Sequence, residues 1–209
     1  MTLGEIKIES LRLMFAGNLG YGLNENGLNA LLSDDNYNVY LYAMTGAINR
    51  CFADLESKGA TPIKSMVLCR NKLADGVFDL TKIEEYSSLD SVTDKDGRNV
   101  EFVKKGNYLY PPPLLSDEDY CVIYYHVGIL RIGEDTGNSE QIKMKGNHLI
   151  LPDELARLIP YFIKGEVYRE EDPNEAGEAR NWYEQGVVQY LAKDVQTQNV
   201  IVSRYSMTI

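Results

Sequence analysis

The two histidines, His126 and His148, are the side chains best suited to acid–base or metal chemistry near neutral pH. His126 lies in the pattern Tyr-Tyr-His-Val, which is typical of a β-strand, and His148 follows a Gly-Asn pair in a predicted loop. No cysteine or histidine stands at metal-ligand spacing from His148, so the sequence predicts no zinc site there. A Ser-His-Asp or Cys-His site stays open, because its members need not be adjacent in sequence.

Three acidic runs could instead bind a cation or supply a carboxylate. Residues 94–101 resemble half of a calcium-binding loop, but the glutamate that ends such a loop is missing, which favours a plain hairpin turn. Residues 116–119 could hold a cation at a loop tip, and a solvated loop is the simpler interpretation. In residues 170–172, Asp172 is predicted to cap a helix. We therefore predict no metal, no cofactor and no catalytic residue.

Tyrosine is frequent, with 15 residues, and several fall together in predicted strands. Because a tyrosine combines apolar area with a polar tip, it suits both the interior of a sheet and a contact between proteins. Both interpretations stay open for Tyr108 and Tyr110. Together with Trp182, they are the candidates for a contact between subunits.

Helical patterns at both ends of the chain must position these residues. Thr2 and Glu5 have capping-box spacing and predict a helix over residues 3–16. A second helix is predicted from residue 33 to Gly59, which suits the helix end. Its apolar face is predicted to be Tyr40, Met44, Ala47, Ile48, Cys51 and Leu55.

The C-terminal part predicts two further helices. An apolar stripe over residues 155–167 contains Pro160, where we expect a kink and not a break. Asp172 and Pro173 then begin another helix, as N-cap and first helical residue. Residues 200–202, Val-Ile-Val, predict a terminal strand.

The middle of the chain, residues 62–133, is predicted to form strands. Asp94–Gly97 is a strong hairpin-turn signal, since glycine accepts the positive φ that a tight turn needs. The predicted strands are residues 65–68, 76–80, 99–103, 108–110 and 120–130.

This order predicts an α+β fold: a four-helix bundle made of two helical hairpins, with a small antiparallel β domain inserted and a C-terminal strand or arm. The predicted domains are an N-terminal helical hairpin (1–61), the inserted β domain (62–150), a C-terminal helical hairpin (151–194) and the strand or arm (195–209). The formal charge of −10 argues against tight binding to a phosphate backbone. No apolar run has the length of a membrane-spanning helix.

Residues 151–184 carry a recognisable pattern: Leu-Pro-x-Glu, then Ile-Pro-Tyr with a Gly-Glu-x-Tyr ending, then an acidic turn and Ala-Arg-Asn-Trp-Tyr-Glu. This pattern resembles the head–tail connector proteins of tailed phages, the gatekeeper or tubular tail protein A-like adaptors. Residues 37–50 are similar to the second helix of that family, and residues 78–97 are similar to its inserted β domain.

The resemblance implies a structural, non-enzymatic virion protein. Such subunits form a ring, usually a dodecamer, beneath the portal protein, where they help to retain packaged DNA and join the tail tube or nozzle protein. DNA passes through the lumen without specific binding. The subunit is in the host cytoplasm during assembly and then at the head–tail interface. By position, the portal contact would be Val200, Ile201, Val202 and Tyr205.

Two other functions compete with this interpretation. One is a binding module of a virion or cell surface, with Tyr108 or Tyr110 as its platform for glycan or protein. The other is a hydrolase that uses scattered acids such as Asp117 and Asp119. The terminal strand could also complete the chain's own β domain instead of binding a partner.

Overall fold

Helices and two antiparallel sheets make up the computed structural model, so the fold class is α+β. It describes residues 1–15, 27, 28, 31, 33–73, 76–111, 119–133, 135–146 and 149–205, without the side chains of residue 72 and residues 194–205. The helices are α1 (Leu3–Met14), α2 (Asn38–Ser57), α3 (Asp153–Ala156), α4 (Ile159–Val167) and α5 (Pro173–Tyr205). The strands are β1 (Ile63–Cys69), β2 (Phe78–Asp79), β3 (Tyr86–Thr93), β4 (Val103–Lys105), β5 (Tyr108–Tyr110) and β6 (Tyr120–Val127).

The chain divides into two compact units. The first, which we call the helical unit, consists of residues 1–55, 131–143 and 150–209. The second, which we call the β unit, consists of residues 56–130 and 144–149. Within the helical unit, α4 packs against α1 and α5, and α3 packs against α5.

The helix α1 begins with the predicted capping box. The Thr2 hydroxyl accepts a hydrogen bond from the backbone N–H of Glu5 at 3.1 Å, and the Glu5 carboxylate accepts one from the backbone N–H of Thr2 at 2.8 Å. These bonds satisfy two N–H groups that lack a partner inside the helix. The buried apolar residues of α1 are Leu3, Ile6, Ile8, Leu11 and Met14.

The apolar face of α2 is largely as predicted. Its confirmed buried members are Met44, Ala47, Ile48, Cys51 and Leu55. Tyr40 is half-buried, because its ring meets Phe15 edge-on at 4.9 Å while its hydroxyl donates to Glu171 at 2.6 Å. Gly59 has φ +65° just beyond the helix, as expected for a helix-ending glycine.

The prediction of one helix kinked at Pro160 is wrong. Two helices, α3 and α4, cover the stripe, with a turn at Arg157 and Leu158 between them. Pro160 lies in the first turn of α4, where a backbone N–H has no acceptor within the helix. The helix therefore breaks before the proline, and the proline is tolerated at the new start.

The start of α5 is confirmed. The Asp172 carboxylate accepts hydrogen bonds from the backbone N–H groups of Asn174 and Glu175, both at 3.0 Å. Pro173 is the first helical residue, as predicted. Asp172 thus acts as a helix cap, which accounts for the acidic run without catalysis.

The predicted strand at residues 200–202 is wrong, because the backbone of α5 stays helical to Tyr205. Between Gly186 and Tyr205 the sequence contains neither glycine nor proline. Nothing in the local sequence therefore ends the helix, although Val-Ile-Val alone favours a strand.

The larger sheet of the β unit has the strand order β1-β6-β3, with both pairs antiparallel. Alternate residues of β6 are buried, since successive side chains of a strand point to opposite faces. These buried residues are Cys121, Ile123, Tyr125 and Val127. The smaller sheet has the order β2-β5-β4.

The hairpin turn at Asp94–Gly97 is confirmed. The Asp94 carboxylate accepts hydrogen bonds from the backbone N–H groups of Asp96 and Arg98, both at 2.9 Å, and Gly97 has φ +77°. β3, which leads into this turn, is not among the predicted strands, because its sequence Tyr-Ser-Ser-Leu-Asp-Ser-Val-Thr holds three serines and few apolar residues.

Residues 131–143 belong to the helical unit, although they lie inside the predicted β domain of residues 62–150. The backbone N–H of Leu3 donates to the carbonyl of Glu140 at 2.8 Å. The Asn49 side chain accepts from and donates to the backbone of Ile132, both at 2.9 Å. These bonds join residues 131–143 to α1 and α2. The hydrophobic periodicity of the sequence alone does not reveal this placement.

Candidate interaction surfaces

The β4–β5 hairpin presents one face of side chains to solvent. Val103 pairs with Tyr110, and Lys105 pairs with Tyr108, so these four side chains lie on one face of the sheet. Leu109 points to the opposite face and is fully buried. The exposed fractions are 52% for Val103, 50% for Tyr108 and 39% for Tyr110. We call these four residues the hairpin face.

Lys105 gives the hairpin face a positive charge. Its Nζ lies 5.7 Å from the ring centroid of Tyr110, within range of a cation–π contact. The neighbouring Lys104 belongs to the opposite face, where its Nζ lies 5.6 Å from the ring of Tyr86. β4 is an edge strand, and lysines on an edge strand discourage pairing with further strands. The hairpin face therefore suits contact through side chains.

Trp182 of α5 borders a second candidate surface, in the helical unit. It is 63% exposed, although it is the sole tryptophan of the chain. Beside it lies a shallow groove of about 280 Å³. The groove is lined by Leu13, Tyr161, Lys164, Glu175, Glu178, Ala179 and Trp182. We call this set the Trp182 groove.

The charge of the Trp182 groove is set by one glutamate. The Lys164 Nζ pairs with the Glu175 carboxylate and also donates to the backbone carbonyl of Leu13 at 2.7 Å. Glu178 is exposed, and within the described part of the chain it has neither an ion pair nor a hydrogen bond from its side chain. The uncompensated charge of the groove is therefore negative.

A buried tyrosine fixes the helix that carries Trp182. Tyr183 is fully buried, and its hydroxyl donates to the Asp54 carboxylate of α2 at 2.6 Å. Arg180 lies 3.7 Å from the same carboxylate. Burial, and then the neighbouring Cys51 and Asp54, raise the pKa of Tyr183 above its usual range. Trp182, the preceding residue, lies about 100° around the helix from Tyr183 and is exposed.

The residues proposed to bind the portal, Val200–Val202 and Tyr205, lie in the last turns of α5. Their backbone is helical, and their side chains lie outside the described set. They are therefore candidates by sequence alone.

His126 has a structural contact. Its Nδ1–H donates to the backbone carbonyl of Thr61 at 3.0 Å, and its Nε2 lies 3.8 Å from the Asp90 carboxylate. These contacts tie β6 to the segment that precedes β1. His148 lies outside the described residues.

Of the two acidic residues considered for hydrolysis, the structure describes only Asp119. The Asp119 carboxylate pairs with Lys95 at 3.2 Å, and Asp117 lies outside the described residues. Among the residues that the structure describes, no group of three or more His, Cys, Asp and Glu side chains could hold a metal ion. None of the described helices is both long enough and apolar enough to cross a membrane.

No protein-family model matches this chain, and no curated protein matches it significantly. The candidate surfaces therefore rest on geometry and on the sequence pattern. Tyr108, Tyr110 and Trp182 are among the residues predicted from the sequence, whereas Lys105 and Glu178 are not. Both had a signal: Lys105 and Tyr108 flank a two-residue turn, and Glu178 precedes Trp182 by one helical turn.

Proposed function

We propose that this chain is a non-enzymatic virion protein, a head–tail connector subunit of a tailed phage. Copies form a ring beneath the portal, and this role requires no catalytic chemistry. The ring joins head to tail and helps to retain packaged DNA.

The order of the elements carries this proposal. Helices from the N-terminal and C-terminal parts of the chain belong to one unit, and most of the β unit lies between them in sequence. This arrangement is the one that the resemblance implies, and it supports a bundle made from two helical hairpins. The bundle is accordingly part of the proposal.

Contacts between the two helical parts support the same arrangement. Tyr183 of α5 donates to Asp54 of α2, and Arg50 of α2 lies 3.2 Å from the Glu166 carboxylate of α4. The helix α1 packs against α4. The N-terminal helices therefore bury their apolar faces with help from the C-terminal ones, as a subunit built around an inserted β domain requires.

The end of α5 is the proposed portal contact. The helix has 33 residues, which corresponds to a length of about 50 Å at 1.5 Å per residue. Because residues 200–202 are helical, we propose that they dock as a helix in a groove of the portal and not by strand addition. The formal charge of −10 suits a lumen through which DNA passes without adhering.

Binding to the portal protein encoded beside this chain tests the proposal. We expect the pure chain to co-elute with the assembled portal ring in size-exclusion chromatography. Ile201→Asp should abolish co-elution, whereas Val188→Asp, a matched change at an exposed position of the same helix, should leave it intact. A wild-type chain that never co-elutes with the portal contradicts the proposed function.

The exposure of Tyr108 and Tyr110 favours one alternative, a module that binds glycan or protein on a virion or cell surface. A glycan array with the wild-type chain and with Tyr108→Ala tests it. Specific glycan binding that Tyr108→Ala removes would support the alternative, and an array without specific signal would contradict its glycan form.

A further inference from the structure

We propose that copies of this chain associate head to tail, with the hairpin face of one copy packed against the Trp182 groove of a second copy. This inference rests on the proposed function in that it names the surfaces that would join neighbouring subunits of the ring. The two surfaces are different, so the contact is heterologous, and repetition of a heterologous contact gives a ring where the rotation closes.

The apolar parts of the two surfaces suit each other. The hairpin face offers Val103, Tyr108 and Tyr110, each exposed by more than a third of its area. The Trp182 groove offers the indole ring beside Leu13. Tyrosine and tryptophan are enriched at the centres of protein interfaces, because each buries a large area with few rotatable bonds. Within the described residues, the apolar side chains of both surfaces are open to solvent.

Charge complementarity favours a second copy of this chain as the partner of each surface. With a formal charge of −10, two copies repel each other at most approaches. Lys105 is a positive charge among the aromatic residues of the hairpin face, and Glu178 is an unpaired negative charge one helical turn from Trp182. Packing of the two surfaces therefore brings opposite charges together beside an apolar contact.

Symmetric contacts are disfavoured by the same charges. A hairpin face packed on another hairpin face places Lys105 near a second Lys105. A Trp182 groove packed on another groove places two Glu178 carboxylates together. Like charges close to each other oppose association, so the mixed pair is the favoured one.

Trp182 reports on the contact directly, since it is the only tryptophan. We expect its emission to shift to shorter wavelength, and acrylamide quenching to fall, as the chain is concentrated to about 1 mM or assembled on the portal ring. Sedimentation velocity measures the association itself. Trp182 that stays open to acrylamide under both conditions overturns the proposal.

A charge exchange then tests the pairing. Lys105→Glu alone and Glu178→Lys alone should each weaken self-association by about tenfold or more, and the double variant should regain most of the loss. Lys104→Glu is the matched control: it makes the same charge change at the next residue, on the opposite face, and should change association less than about threefold. Equal effects of Lys104→Glu and Lys105→Glu, or no rescue by the double variant, overturn the proposal.

The failure of this inference is distinguishable from failure of the proposed function. If the portal captures the chain but every charge variant assembles like the wild type, the pairing is wrong and the connector role stands. If the portal ignores the chain while the charge exchange behaves as expected, the contact stands and the connector role is wrong.

Discussion

Tyr183→Phe removes one hydroxyl from the interior of the helical unit. The Tyr183 side chain is fully buried, its ring meets Phe162 edge-on at 5.0 Å, and its hydroxyl donates to Asp54 at 2.6 Å. Phenylalanine keeps the ring contact and loses the hydrogen bonds that the hydroxyl makes with Asp54 and Cys51 of α2. The substitution therefore isolates the contribution of that hydroxyl.

The expected cost follows from the charge and exposure of the acceptor. A hydrogen bond to a charged group contributes about 1.5–3 kcal/mol to folding. The Asp54 side chain is 23% exposed, so water can partly replace the lost donor. We expect the lower end, about 1.5 kcal/mol, which lowers the unfolding temperature by about 3–6 °C for a chain of this size.

Urea unfolding followed by circular dichroism and by Trp182 fluorescence measures this loss. Tyr42→Phe is the control, because Tyr42 is 72% exposed on α2 and should change stability by less than about 0.5 kcal/mol. Since the chain has two units, the two signals are fitted separately. Equal stability of Tyr183→Phe and Tyr42→Phe would refute the reasoning.

Three other predictions concern stability. Burial and then Glu85 raise the pKa of Tyr125 to about 12, above the unfolded value. The resulting stabilisation is present below pH 10 and is lost as the pH rises to about 12, by about 1.4 kcal/mol per pH unit. Because the pKa of Tyr183 is raised as well, Tyr125→Phe should reduce the alkaline slope in urea unfolding without abolishing it. Gly59→Ala should cost about 1–2 kcal/mol in thermal unfolding, because φ is +65° and the new Cβ would lie 3.2 Å from His126 Nε2. Thr2→Ala should cost about 1 kcal/mol, measured in the same way, by removing the cap of α1.

Local signals predict the structure well where the interaction partners are close in sequence. The capping box of α1, the Asp172 cap and the Asp94–Gly97 turn each depend on residues within four positions of one another. Neighbouring side chains therefore determine their geometry, and the predictions are confirmed.

Predictions that depend on tertiary context are less successful. The sequence around Pro160 does not say whether the helix bends at the proline or restarts before it. β3 has too few apolar residues to be recognised, and it is ordered by pairing with β6. The valines and isoleucine of residues 200–202 favour a strand locally, yet α5 continues through them.

The candidate surfaces divide in the same way. Tyr108, Tyr110 and Trp182 stand out in the sequence because large aromatic side chains are recognisable anywhere. The Trp182 groove is not recognisable in this way, since Leu13, Tyr161 and Trp182 come to line one groove only after α1, α4 and α5 have packed together. A surface made from three distant segments has no local signature.

Native mass spectrometry of the pure chain, alone and with a portal protein from the same genome, tests the proposed connector role most directly. The connector role predicts a closed ring of this chain, or a complex in which the portal ring carries a fixed number of copies. A chain that stays monomeric and does not bind the portal ring at any ratio would contradict it.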